Sequence, residues 1–458
     1  MNRRLPRVVL LSGGSGQRLW PLSNGVRTKA YLRLLPGPDG ERESMLRRVL
    51  RGLKAVGVPM ASGCVVTQTD QLEMTRASLE PQVPVLGEPL KRGTYAAAAL
   101  AAAYLYSAAQ ADPEETVAVV PVDTYADEAF YRLLVRLPEV LEQSGASLAL
   151  IGTVPVAPSS AFGYIVPEKQ GGGEAWQPVA RFEEKPAPEQ AQRLIGAGAL
   201  WNCGIFGFRL GFLLDDLRRR GLPPEYGPLL DAYGELPAES FDREVTEKTP
   251  GVVTLSYPGA WSDLGSWDVL AGELEERVTG AGSVSADSAG TCLVNELPIP
   301  AHVIGAPGLI VAASPDGILV ADRRQADRIK EVLDAAGHSR RPMISEKRWG
   351  EYRVLDITAM PGGGSCLTRK LRLRAGEQTS YHRHPHSREL WVILAGQGEY
   401  MLEGKLHPLE CGSMVTIPAG YKHGIRAMEP MEWLEIRWGF PAAEGSGDTE
   451  RITMSWGE

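Results

Sequence analysis

No apolar run in the 458 residues approaches a membrane span. The longest, YAAAALAAAYLYSAA, is alanine-rich and shorter than the ~20 residues a spanning helix needs, so it predicts a buried helix. No CxxC pair occurs, and the five cysteines, Cys64, Cys203, Cys292, Cys366 and Cys411, are scattered and odd in number. That excludes a paired disulfide framework and predicts reduced thiols in a cytoplasmic protein. The opening MNRRLPRVVLLSGG holds an apolar run of only four residues. It predicts a strand entering a glycine loop, not a secretory leader. A positive field is missing too. The net charge of −8 argues against nucleic acid and anionic membranes as partners, so a small anionic substrate would need basic residues placed locally. There is no GK[ST] phosphate loop, no GxGxxG and no long internal repeat.

What is present suits a soluble globular protein, with 43% hydrophobic and 23% charged residues. At ~150 residues per domain, the length suggests about three domains. The first ~270 residues alternate short apolar strands with helical segments. RVVLL, CVVT, TVAVVPVD, SLALIGTVP and WNCGIFGF read as strands. SMLRRVLRGL reads as an amphipathic helix capped by Ser44, and residues 93–110 as another. This alternation predicts a mostly parallel sheet covered by helices. From about Gly282 only short β runs appear between Gly, Pro, Asp and Ser turns, until the helical RQADRIKEVLDAAG. A small β-helix-like module fits, followed by GHSRRPMISE as a linker. From Lys347 onward, β alternation between glycine turns predicts an antiparallel barrel or sandwich.

Gly13, Gly14 and Gly16 follow the first strand. Glycine lets backbone N–H groups approach and point at phosphate oxygens. Arg18 and Lys29 then place two cations near the loop, as a triphosphate requires. Asp123 stands at the end of an apolar strand, where α/β proteins bind ligands.

The stretch LSGGSGQRLWPLSNGVRTKAYL resembles the signature of sugar-1-phosphate nucleotidyltransferases, GxGxRLxPL followed by a lysine. Its RLWPLS form resembles the mannose-1-phosphate guanylyltransferases. EPLKRGTYAAAALAAAYL, VVPVDTY, VARFEEKP, LWNCGIFGF and WSDLGSW follow in family order, so the match runs over roughly residues 7 to 335. The resemblance implies a Rossmann-like, GT-A-like α/β domain. It implies GTP and a sugar 1-phosphate as substrates, and Mg²⁺ held by Asp123 and Asp263. Arg18 and Lys29 would share catalysis with the two aspartates. Gly13, Gly14, Gly16, Glu88 and Thr94 would bind the nucleotide, and Gly163, Glu184, Lys185 and Asn202 the sugar phosphate. A homodimer is also implied. Gly93 stands where the family has asparagine, and Thr124 where it has histidine.

Five of the seven histidines fall between His382 and His423. Alternate residues of a strand share a face. His382, His384 and, at the next alternate position, His386 are therefore candidates to aim into one barrel interior, where Glu389 and His423 can converge. Such a set suits Zn, Fe, Mn, Ni or Co. The spacing resembles both cupin motifs: Gly376, His382, His384, Glu389 and Gly396, then Pro418, Gly420 and His423. From KRWGEYRVL onward the tail resembles the type II mannose-6-phosphate isomerase domain fused to guanylyltransferases. In that domain QxHxHRxExW stands where this chain has HxHxHSREL followed by Trp391, so His382 replaces glutamine and Ser387 replaces arginine. Arg388, one position later, would face away. Lys370, Arg372, Arg374 or Lys422 are the candidates to compensate. The expected organisation is a nucleotidyltransferase domain at 1–275, a β-helix-like module at 276–337 and a cupin barrel at 338–458.

Overall fold

The computed structural model describes residues 4–14, 16–168, 176–335, 342–361, 364–441 and 448–456. The chain divides into two compact units. One is Met1–Gly16 with Thr28–Glu275; the other is Gln17–Arg27 with Glu276–Glu458.

The first unit is built on a nine-stranded sheet. Its strands are β1 (Arg7–Leu11), β2 (Cys64–Gln68), β3 (Val85–Glu88), β4 (Thr116–Pro121), β5 (Leu148–Thr153), β6 (Tyr164–Pro167), β7 (Gln177–Glu183), β8 (Leu200–Arg209) and β9 (Val252–Tyr257). The spatial order is β3-β2-β1-β4-β8-β5-β9-β7-β6. Both faces are covered, which is why the central strands are continuously apolar rather than alternating. Val9 joins one core cluster, while its neighbours Val8 and Leu10 join the other. The alanine-rich helix Gly93–Ser107 is buried from Tyr95 to Ala103, as its all-round apolar surface demands. On the other face lie helices Met45–Ala55 and Glu128–Ser144. Ser44 caps the former by accepting from Arg47 N at 3.3 Å, worth ~1 kcal/mol.

The sheet is mixed, which corrects the mostly parallel expectation. β3, β2, β1 and β4 pair in parallel, as do β5 and β9. β8 runs antiparallel between β4 and β5, and β7 runs antiparallel to both β9 and β6. Hydrophobic period reports that a strand exists and not which way it runs.

In the second unit, Val278–Gly280, Cys292–Asn295 and Leu309–Ser314 pair in parallel, as do Gly282–Val284 and Ala301–Val303. These short parallel coils form the β-helix-like module. The segment Gln17–Arg27 is pinned within this unit. Arg27 grips Glu296 at 2.7 and 2.9 Å and Glu346 at 3.0 Å, and Asn24 Nδ2 donates to Asp316 at 2.7 Å. Of the expected linker, residues 337–341 lie outside those described, and its end is already strand, Ile344–Lys347. The barrel that follows has a six-stranded and a five-stranded sheet. Leu371, Trp391, Ile393, Ile417, Ile425 and Trp433 fill its interior. Among the described residues no helix is long and apolar enough to cross a membrane.

Candidate functional sites

A cavity of about 430 Å³ opens at the C-terminal ends of the parallel strands in the first unit. Ser12 to Gly14 follow β1, Gln68 ends β2, Glu88 ends β3 and Asp123 follows β4, so four neighbouring strand ends deliver side chains to one place. Of the residues singled out in the sequence, Gly13, Gly14, Lys29, Glu88, Thr94, Asp123, Asn202 and Asp263 line it. Gly16, at φ +65°, is sterically required, since a Cβ there would sit 2.9 Å from Lys29 Cβ; one on Gly13 would press on Glu88 Oε2 at 2.8 Å.

Lys29 Nζ forms a close ion pair with Asp123 Oδ2, and Asp263 lines the same cavity. Burial opposes ionisation of Asp123, yet the Lys29 ammonium outweighs it and holds the carboxyl below its ordinary range. Two hard oxygen donors, one of them already drawing a cation, suit Mg²⁺, which takes one or two carboxylates plus substrate phosphate oxygens. Asp263 is positioned by a two-stranded pairing with Thr124 and by Leu264 N donating to Asp123 O at 3.1 Å.

Glu88 accepts from Tyr233 Oη at 2.6 Å and from Gln68 Nε2 at 2.8 Å. Burial pushes its carboxyl up to about 7 despite these donors. Thr94 lines the cavity, and its Oγ1 accepts from Phe241 N at 2.8 Å. Gly163, Glu184 and Lys185 adjoin Asn202 rather than line the cavity. Gly163 O accepts from Asn202 N at 2.8 Å, a Cβ on Gly163 would meet Glu184 Oε2 at 2.6 Å, and Lys185 Nζ donates to Glu184 at 2.7 Å. Lys185 holds φ at +48°, a strained value for a residue with a side chain. Arg18 is exposed in the turn Gln17–Leu19 and belongs to the second unit. Sequence reading missed Tyr233, which reaches Glu88 across 145 positions with no local pattern to mark it. It also missed Asp242, hidden in SFDRE, which reads as an ordinary helix start capped by Ser240.

The barrel gathers His382, His384 and His423, with ligand atoms all within 4.8 Å of one another. Register explains it: His382 pairs directly with His423 across two strands. Each ring turns Nδ1 toward a backbone carbonyl: Ser380 O at 2.7 Å, Asp448 O at 2.7 Å and Tyr421 O at 2.9 Å respectively. An Nδ1–H donated in this way leaves Nε2 as the ligand atom. Glu389 lies 3.0 Å from His384 Nε2 and 3.4 Å from His423 Nε2. Burial opposes its charge, but the two imidazoles keep it well below the ordinary carboxylate range. Burial and the neighbouring His423 and His384 rings push His382 down to about 3, so it is a neutral imidazole at pH 7. Glu389 Oε1 and His423 Nε2 are buried without a well-formed hydrogen bond among the described residues. These two orphaned atoms, within a cluster of three imidazoles and one carboxylate, fit a transition-metal ion.

His386 does not join them. The strand ends at Arg383 before Pro385, so alternation fails, and His386 is exposed with its N–H donating to Asp448 Oδ1 at 2.9 Å. Ser387 is buried and bonds Asp448 Oδ2, while Arg388 is exposed. Lys370 and Arg372 pair with Glu432 at 2.7 and 2.6 Å, on the alternation opposite to the core residues Leu371 and Leu373. Among the described residues, Arg369, bound to Glu435 at 3.0 Å, and Arg437, 3.4 Å from the His384 ring nitrogens, share the alternation of the core residues Leu371 and Trp433.

A glycine loop with a lysine and two carboxylates, at the ends of parallel strands, suits a phosphate-bearing ligand and a hard cation. The nucleotidyl transferase family profile matches residues 7–276, and the chain belongs to that family. A cupin domain matches residues 370–437. Mannose-1-phosphate guanylyltransferase ManC of Salmonella typhimurium is 29% identical, the match covering 94% of each chain. Mannose-1-phosphate guanylyltransferase of Escherichia coli K12 is 28% identical over 94% of this chain and 95% of its own. Among solved structures, mannose-1-phosphate geranyltransferase from Thermus thermophilus superposes with a TM-score of 0.59 at 27% identity, covering 73% of this chain and all of that one.

Proposed function

We propose that the chain transfers a guanylyl group from GTP to mannose 1-phosphate, giving GDP-mannose and pyrophosphate. The observation that carries this reading is the meeting of Lys29, Asp123 and Asp263 beneath Gly13 and Gly14 in one cavity with Asn202. The names of the relatives support guanine and mannose as base and sugar.

In this reading the phosphate oxygen of the sugar attacks the α-phosphorus of GTP in line, and the bond to pyrophosphate breaks. Positioning and charge neutralisation then account for most of the rate. The Gly13–Gly14 backbone can approach the phosphates because no Cβ intervenes. Lys29 neutralises phosphate charge once it exchanges Asp123 for substrate. Asp123 and Asp263 would hold Mg²⁺, which supplies charge neutralisation at the reacting phosphate when bound. Glu88, braced by Tyr233 and Gln68, faces the nucleoside. Lys185 receives the sugar phosphate, and Glu184 and Asn202 its hydroxyls. Arg18 is assigned to phosphate binding on family grounds alone.

His382, His384, Glu389 and His423 would hold a divalent transition metal in the barrel: Zn, Mn, Fe, Co or Ni. We read this domain as a weak or inactive mannose-6-phosphate isomerase, because Ser387, tied to Asp448, stands where that chemistry has an arginine. The proposed organisation remains 1–275, 276–337 and 338–458, in a cytoplasmic homodimer.

The test is pyrophosphate release from GTP, ATP, CTP, UTP and dTTP, each with mannose 1-phosphate and glucose 1-phosphate. GTP with mannose 1-phosphate should lead. Preference for dTTP with glucose 1-phosphate would overturn the assignment of base and sugar, and no release with any pair would overturn the reaction.

A further inference from the structure

Asp242 lies on the short helix Phe241–Glu244, and it lines the cavity that holds Lys29 and Asp123. The helix is fixed at its start by Ser240 Oγ accepting from Arg243 N at 3.3 Å, and by Thr94 Oγ1 accepting from Phe241 N at 2.8 Å. One oxygen of Asp242 accepts from Asn202 Nδ2 at 2.7 Å. Asn202 Oδ1 accepts from Gly204 N at 3.1 Å, so the orientation of the amide is set from both ends. An amide nitrogen has two hydrogens and a carboxylate two oxygens. Beyond the bond they share, the pair therefore offers one N–H donor beside one carboxylate oxygen. Burial pushes the Asp242 carboxyl up to about 7, with Glu184 adding to the rise and Lys185 opposing it. A carboxylate kept in such a place is costly unless a further donor reaches it. A donor beside an acceptor is the complement of two adjacent sugar hydroxyls, one donating and the other accepting.

We propose that Asp242, paired with Asn202, receives a vicinal diol of the sugar 1-phosphate and sets which hydroxyl pattern the transferase accepts. This rests on the nucleotidyl-transfer reading of the cavity. One hydroxyl donates to the Asp242 carboxylate, and its neighbour accepts from the Asn202 amide. A site built to bond a hydroxyl rejects an analogue lacking it far more strongly than an apolar pocket does, because the buried polar partner is left unmatched.

The experiment compares wild type, Asp242→Ala and Asp242→Asn with mannose 1-phosphate and its 2-, 3-, 4- and 6-deoxy analogues, at saturating GTP and Mg²⁺. Wild type should penalise at least one ring-deoxy analogue by ~100-fold or more in kcat/KM. Asp242→Ala should lower kcat/KM for mannose 1-phosphate by ~100-fold, shrink that penalty below ~10-fold, and leave KM for GTP within about threefold. Asp242→Asn, nearly isosteric, keeps the test open if the alanine variant does not fold, and it should lose part of the same discrimination. Unaltered discrimination in both variants, whatever their total activity, would overturn the proposal alone. No pyrophosphate release by wild type from any nucleotide and sugar 1-phosphate would overturn the transferase reading and this proposal with it.

Discussion

The two sites of this chain handle charge in opposite ways. In the transferase cavity the acids outnumber the cations that face them. Asp123 is held by Lys29, while Glu88 and Asp242 are both raised to about 7. Such a site awaits cations and donors that arrive with the substrate. In the barrel the imidazoles are oriented by the protein backbone and two buried ligand atoms, Glu389 Oε1 and His423 Nε2, are left for an ion. Three imidazoles are fixed by backbone carbonyls, and His384, Glu389 and His423 are almost wholly buried. An open polar site suits turnover, and a closed one suits retention of an ion.

The largest expected effect falls on the first site. Asp123→Asn and Asp263→Asn should each reduce pyrophosphate release on the order of 1,000-fold, because each removes charge from the Mg²⁺ site. Both proteins should keep the same cupin metal content by elemental analysis. Near-normal turnover at limiting Mg²⁺ would break the assignment. At the second site, purified wild type should carry about one equivalent of transition metal. Joint His384→Ala and His423→Ala should abolish it; equal metal in the variant would show that the ion binds elsewhere.

A third prediction uses pH. The Glu88 carboxyl is raised from 4.5 to about 7 in the folded protein, chiefly by burial. The folded state then holds its proton more tightly than the unfolded chain, so stability falls as pH rises through that window and stays lower above it. Glu88→Gln should remove the penalty. Its stability advantage over wild type should grow from pH 4.5 to pH 8, reaching at most ~3 kcal/mol in denaturant unfolding. A constant difference across that range would contradict the burial argument. The smallest effect concerns the outer layer of the barrel. Asp448→Ala removes the carboxylate that ties Ser387 and His386 N, while leaving the carbonyl on His384. Metal affinity by competition with a chelator should fall ~10-fold, at the low end for residues that orient a ligand.

Local chemistry was legible in the sequence where one segment carries it whole. The glycine loop, the strand-end Asp123 and the alternating His382 and His384 are each short patterns whose geometry follows from period and turn. What could not be read depends on pairing between distant segments. Strand direction failed because period carries no sense of direction, so β8 was not seen to be antiparallel. His386 failed because alternation was extended past Pro385. Tyr233, Asp242 and Asp448 reach their partners across 145, 40 and 61 to 64 positions, distances that no window spans.

One preparation assayed for two products tests the central contrast most directly. Metal-loaded protein would receive GTP, mannose 1-phosphate and Mg²⁺ in one vessel, and mannose 6-phosphate with Zn, Co or Mn in another. The account predicts sustained pyrophosphate release in the first and little fructose 6-phosphate in the second. Robust fructose 6-phosphate formation without pyrophosphate release would contradict it.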